Sequence, residues 1–321
     1  MNTAQAQLGA VLSAGGPALA RLLELTEGRL AQVAESHGAE LGTHATGTLA
    51  AGGKRLRPVL VFLCGEGDDE RLVAAGAAVE LLHMATLVHD GVLDSAELRR
   101  GRPTVFAEAG RPAATATGDL LFSRAFAELA ATGSEDAVRA LSTASSALAR
   151  GELMQRADAW DEQVTPERYL ERCRLKTASL FEASCRLGAL FGGRPDLAPA
   201  LGGFGEQVGL AFQLLDDLLD VSGPPERTGK PRGADLLDGT VTLPLILARR
   251  KDPALPGPVN TVAEAAAVSD RIASTGALEE ARTQALGHVA EAKDSLGRLD
   301  LSKGRLHALS LVADGVVERY A

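Results

Sequence analysis

Apolar residues recur every three to four positions along almost the whole chain, as at Leu19, Leu22, Leu23, Leu30 and Val33, the spacing that lines one face of an α-helix. Alanine, leucine, arginine and glutamate, all good helix formers, fill much of the rest. Punctuation agrees. Thr165-Pro166-Glu167 sets out an N-cap, a first-turn proline and a first-turn acid, and Ser134-Glu135-Asp136 opens another helix. Breaks are expected at Gly52-Gly53, Gly65–Asp68, Gly101–Pro103, Gly110–Pro112, Gly192–Pro195 and Gly223–Gly233. The series contains no alternating strand pattern of useful length, no internal repeat and no long linker. The expected fold is all-α, one large bundle of about ten or more helices spanning residues 1–321.

Two clusters of aspartate interrupt this apolar periodicity. Asp90 and Asp94 lie in HMATLVHDGVLD, and Asp216, Asp217 and Asp220 lie in AFQLLDDLLDV. A carboxylate among leucines must meet a cation to be tolerated. Positions i and i+4 share a helix face, so Asp90 is expected to pair with Asp94, and Asp216 with Asp220. Two such faces across a cavity would hold a hard divalent ion such as Mg2+, and a diphosphate between them.

Composition narrows the partners. The 321 residues are 45% hydrophobic, enough for a sizeable core, and carry a net charge of −9 with 3% aromatic residues, which argues against a nucleic-acid surface. Cys64, Cys173 and Cys185 are too few and too widely spaced for a disulfide framework or a zinc site, and a reducing cytoplasm is the expected compartment. The first basic residue is Arg21, so Met1–Ala20 reads as a soluble helix without the charged start of a secretory signal. No apolar run is expected to approach the ~18 residues of a membrane span.

Basic residues form a second set. Gly53-Lys54-Arg55-Leu56-Arg57-Pro58 precedes an apolar helix, and Arg99-Arg100-Gly101-Arg102-Pro103 follows the Asp90 helix. Each alone reads as a charged helix end. Beside aspartates they describe one phosphate held by metal and another held by guanidinium groups. His83, seven residues before Asp90 and about 20° away around the helix, can face the same cavity. His89 lies off that face and is expected as a packed core histidine. Lys176, Thr177 and Gln213 add polar groups to apolar helices. The loop Gly223–Gly233, with Arg227, Lys230 and Arg232, reads either as a solvated surface loop or as a basic cover for an anionic substrate.

The blocks GGKRLRP (52–58), ELLHMATLVHDGVLDSAELRRGRPT (80–104), GDLLFSRAF (118–126), GELMQ (151–155), KTASLFEASCRLGA (176–189), FQLLDDLLDVSG (212–223), GKPRGADL (229–236) and TLPL (242–245) together resemble the trans-isoprenyl diphosphate synthases, the polyprenyl synthetase family, in the family's order. The C-terminal LVADGVVERYA is similar as well. The resemblance implies an all-α homodimer of isoprenoid synthase type, built around a central cavity. Such an enzyme joins isopentenyl diphosphate to an allylic diphosphate with Mg2+, three ions with bound diphosphate. By position, Asp90, Asp94 and Asp216 resemble the Mg2+ ligands, with Asp217 and Asp220 supporting them. Lys54, Arg57, His83 and Arg100 resemble the isopentenyl diphosphate pocket, and Arg99, Lys176 and Lys230 resemble contacts to the allylic diphosphate. Thr177 and Gln213 resemble groups that steady the cation.

Two positions depart from the family pattern. Gly91 stands where the first motif has a second aspartate, and Thr240 where many members carry lysine. Position 91 is about 100° around from Asp90 whereas Asp94 is about 40° away, so activity is expected to survive. A non-catalytic partner subunit, a geranylgeranyl diphosphate synthase and a terpene cyclase are the competing readings; GGKRLRP opposes the last, since a cyclase has no second diphosphate to hold. The residues about one turn before Asp90, Ala85 and Thr86, are small, and Leu82 and Val79 beyond them are apolar without being aromatic. A hydrocarbon tunnel along that face, and a medium-to-long polyprenyl product, are therefore expected.

Overall fold

A computed structural model describes residues 3–36, 38–50, 53, 55–99, 102–224 and 231–318. Lys54, Arg100 and Lys230, and with them much of the basic loop, lie outside the described residues. The periodicity resolves into α1 (Thr3–Glu35), α2 (Ala39–Ala50), α3 (Leu56–Cys64), α4 (Asp69–Leu93), α5 (Val105–Ala130), α6 (Glu135–Ala157) and α7 (Pro166–Cys173). It continues through α8 (Ser179–Phe191), α9 (Ala198–Ser222), α10 (Ala234–Leu237), α11 (Leu243–Lys251), α12 (Val262–Ser274), α13 (Ala277–Leu296) and α14 (Lys303–Glu318).

Both helix starts expected from the sequence are present. Ser134 Oγ accepts the Ala137 N–H at 3.3 Å, and Thr165 Oγ1 accepts that of Arg168 at 3.3 Å. Two expected breaks take another form. α5 runs through Gly110–Pro112 with a kink at Gly110, whose φ of 79° glycine reaches without strain. Arg102–Pro103 forms β2, paired antiparallel with β1 (Leu98–Arg99), so that Leu98 faces Pro103. Strands of this length are too short to leave an alternating pattern.

The helices close around one contiguous hydrophobic core. α3 is buried from Pro58 to Cys64 and approaches α8 so closely that a Cβ on Gly188 would lie 2.3 Å from the Val61 carbonyl oxygen. α8 in turn packs against both α4 and α9, which places the two acid-bearing helices on either side of it. α4 is long and apolar enough, by length and composition, to cross a bilayer, but 72% of its most apolar window is buried inside this bundle. Cys64, Cys173 and Cys185 are buried free thiols.

Candidate active site

One cleft of about 570 Å³ collects most of the chemistry-bearing residues. α4 contributes Leu87, Asp90 and, at its C-terminal cap, Asp94; β1 contributes Leu98 and Arg99; α6 contributes Gln155. Arg172 and Cys173 come from α7, Gln213, Asp216 and Asp217 from α9, and Asp235, Asp238 and Thr240 from the segment beginning at α10. Lys176 and Thr177 sit in a π-helical turn, Arg174–Ala178, between α7 and α8. Such turns widen a helix by one residue and turn side chains that α-helical spacing would not bring together.

On the α4 wall Asp94 is already engaged. Arg156 of α6 donates to Asp94, and Glu152, one turn earlier on α6, contacts Lys176. Burial raises the Asp90 carboxyl above its ordinary range; Lys176 and Arg99 oppose the rise, while Glu152 and Asp94 add to it. α6 can come this close because residue 151 is glycine, where a Cβ would lie 2.6 Å from the Lys176 backbone nitrogen.

The α9 wall carries a hydrogen-bonded relay. Thr177 Oγ1 donates to Gln213 Oε1 at 2.6 Å, Gln213 Nε2 donates to Asp217 Oδ1 at 2.7 Å, and the Tyr169 hydroxyl donates to Asp217 Oδ2 at 2.7 Å. Burial, then the charge of Asp235, pushes the Asp217 carboxyl up to about 7 against these hydrogen bonds and Arg172. Its contribution to stability is present below the unfolded carboxylate value of about 4 and fades as pH rises through the folded value.

Asp220 is not among the residues that line the cleft. It is 2% exposed, its Oδ2 accepts the Asp235 N–H at 3.1 Å, and its carbonyl accepts the Gly233 N–H at 2.9 Å. Asp220 thereby has an anchoring role. Asp220 ties α10 to α9 and so brings Asp235 and Asp238 to the cleft. Arg57 and His83 are not among the residues that line it; the Arg57 guanidinium stacks 4.7 Å from the Phe181 ring centroid, and His83 lies on α4 one turn before Leu87, which does line it. His89 is not a packed core histidine. Its side chain is 35% exposed, rests over Gly118, and places Nε2 3.2 Å from Asp119.

Glu152, Gln155, Arg156, Arg172, Tyr169, Asp235 and Asp238 were not singled out by sequence. Glu152 and Gln155 belong to GELMQ and Asp235 to GKPRGADL, so the signal was the block and not any residue pattern within it. Thr240 lines the cleft and brings no charge to it.

Gly91 faces away from the cleft. A Cβ there would meet Thr104 at 3.7 Å, ordinary van der Waals contact, within an otherwise regular helix. Gly91→Ala is therefore expected to stabilise the protein by about 0.5–1 kcal/mol in urea unfolding, with turnover changed by less than about twofold. Destabilisation would show that the space beside Thr104 is closed, and a large loss of turnover that position 91 acts on the site.

The donor set suits a hard divalent cation, since it consists of carboxylate oxygens on two walls. Among the described residues no three acidic, histidine or cysteine side chains converge into a closed cage. Carboxylates on two walls would leave water and a substrate's phosphates to supply further ligands to such an ion.

Opposed acid-bearing helices, with Arg99, Arg172 and Lys176 at the same cleft in an all-α bundle, define a diphosphate-handling enzyme of the isoprenoid synthase class. Residues 39–271 match the polyprenyl synthetase family; the chain belongs to it and is a prenyltransferase, a trans-polyprenyl diphosphate synthase. It is 41% identical over 292 residues to heptaprenyl diphosphate synthase component 2 of Geobacillus stearothermophilus, covering 88% of this chain and 91% of that one. It is 37% identical over 289 residues to the short chain isoprenyl diphosphate synthase of Methanothermobacter thermautotrophicus, covering 84% and 88%. Among solved structures, the polyprenyl synthase of Caulobacter crescentus complexed with calcium and isoprenyl diphosphate superposes with a TM-score of 0.87 at 33% identity, covering 98% of each chain.

Proposed function

We propose that this chain, as one catalytic unit and as a homodimer, condenses isopentenyl diphosphate with an allylic diphosphate to give a medium-to-long trans-polyprenyl diphosphate. The observation that carries the reading is the gathering of Asp90, Asp94, Asp216 and Asp217 around a cleft that also presents Lys176 and Arg99. Mg2+, as three ions held by those carboxylates together with the substrate diphosphate, would stabilise the negative charge that develops on the departing group. Lys176 and Arg99 bind the allylic diphosphate and orient its C–O bond; Lys230 is assigned to the same task. Thr177 and Gln213, locked by the relay to Asp217 and Tyr169, aim their oxygen dipoles at the carbon that turns cationic. Lys54, Arg57, His83 and Arg100 hold isopentenyl diphosphate so that its alkene meets that carbon.

A second reading has one observation in its favour: the Geobacillus relative is by name one component of a synthase. The chain would then need a different subunit for turnover. Purified protein alone is expected to extend geranyl, farnesyl or geranylgeranyl diphosphate with labelled isopentenyl diphosphate in Mg2+ and to be silent in EDTA. No turnover with any primer would sink the first reading and favour the second.

A further inference from the structure

Four charged groups, of which Asp94 and Lys176 line the cleft, form a chain. Arg156 Nη2 contacts Asp94, Arg156 Nε lies 2.9 Å from Glu152 Oε1, and Glu152 Oε2 contacts Lys176 Nζ, which also donates to Gln155 Oε1 at 3.2 Å. Each member that would receive a ligand is thus held by a member that would not. Asp94 would take a cation and is held by a guanidinium; Lys176 would take a diphosphate and is held by a carboxylate. Glu152 and Arg156 are one helical turn apart on α6, the spacing at which opposite charges support each other.

We propose that Glu152 and Arg156 are exchange counter-ions, positioning residues that occupy Lys176 and Asp94 until diphosphate and metal displace them, and that then neutralise each other. The proposal rests on the assignment of Asp94 and Lys176 given above. The charges close: when a cation takes Asp94 and an anion takes Lys176, the two released groups remain as an i,i+4 pair whose 2.9 Å contact already exists. That matters most for Glu152, whose side chain is only 16% exposed and would be costly to leave without a cation. Burial favours its neutral form, yet Lys176 and then Arg156 hold its carboxyl below the usual range, so it is ionised near neutrality. Lengthening a chain unit by unit requires a diphosphate to leave Lys176 after each addition, and a carboxylate waiting at that ammonium speeds the departure.

Calorimetric titration with inorganic pyrophosphate in Mg2+ separates competition from support. Removing a competitor raises the fraction of Lys176 ready to bind, so Glu152→Gln is expected to bind pyrophosphate about three- to tenfold tighter than wild type. Arg156→Gln, with Mn2+ as the probe and free Mn2+ read by its paramagnetic resonance signal, is expected to bind the ion several-fold tighter. Unchanged or weaker pyrophosphate binding in Glu152→Gln would mean that the carboxylate orients Lys176, and would overturn the exchange. Should that variant fail to fold by circular dichroism, the Arg156→Gln arm decides, and unchanged or weaker Mn2+ binding overturns it. If wild type binds no pyrophosphate in Mg2+, the functional reading of the site falls first, a result distinct from either mutant outcome.

Discussion

Asp90→Ala and Asp216→Ala are each expected to lower kcat by about a thousandfold or more while the protein stays folded. The two residues stand on different helices and line the same cleft. A carboxylate that holds a cation against a leaving diphosphate acts chiefly as charge develops, so its loss appears in the rate more than in primer binding. Asp220→Asn is the informative contrast. If Asp220 serves by accepting the Asp235 N–H, the amide oxygen of asparagine can still accept it, and the loss should stay within about tenfold. Single-turnover extension of a labelled primer measures all three. An Asp90→Ala enzyme only a few-fold slower than wild type would remove α4 from the catalytic metal site. An Asp220→Asn enzyme as impaired as Asp216→Ala would return Asp220 to the ligand set.

Thr86→Phe is expected to shorten the product to geranylgeranyl diphosphate or less, from a wild-type product longer than that. Ala85 and Thr86 are both small, but they occupy different surroundings. Thr86 lies about 40° around α4 from Asp90 and is partly exposed, whereas Ala85 lies about 140° away and is fully buried. Leu82 and Val79 are also fully buried, so a hydrocarbon extending past Thr86 must shift packed side chains as it grows. One isoprene unit is about as long as one helical turn, roughly 5 Å, and a phenyl ring at position 86 would stop growth within the first turn. Ala85→Phe tests a different property: overpacking a closed position, expected to cost about 1–3 kcal/mol of stability. Chromatography of dephosphorylated products reads the first variant and urea unfolding the second. A wild-type product that stops at farnesyl, or a Thr86→Phe product unchanged in length, would refute the proposed path.

The sequence by itself determined the helices, their caps at Ser134 and Thr165, and the residues that reach the cleft from single helical turns: Asp90, Asp94 and Asp216. Helical periodicity and capping are local, written within about one turn of each residue, so they can be read without knowing the fold. Local spacing did not foretell the backbone partner of Asp220, because a carboxylate four residues from Asp216 can also turn toward the backbone of a later helix. The N–H it found belongs to Asp235, fifteen residues on. Arg156 lies 62 positions from the Asp94 it engages. Lys176 and Thr177 reach the cleft through a π turn that no hydrophobic spacing announces. Tertiary structure alone decided these contacts, because a buried charge takes whichever partner packing brings within reach, and packing joins segments far apart in the chain.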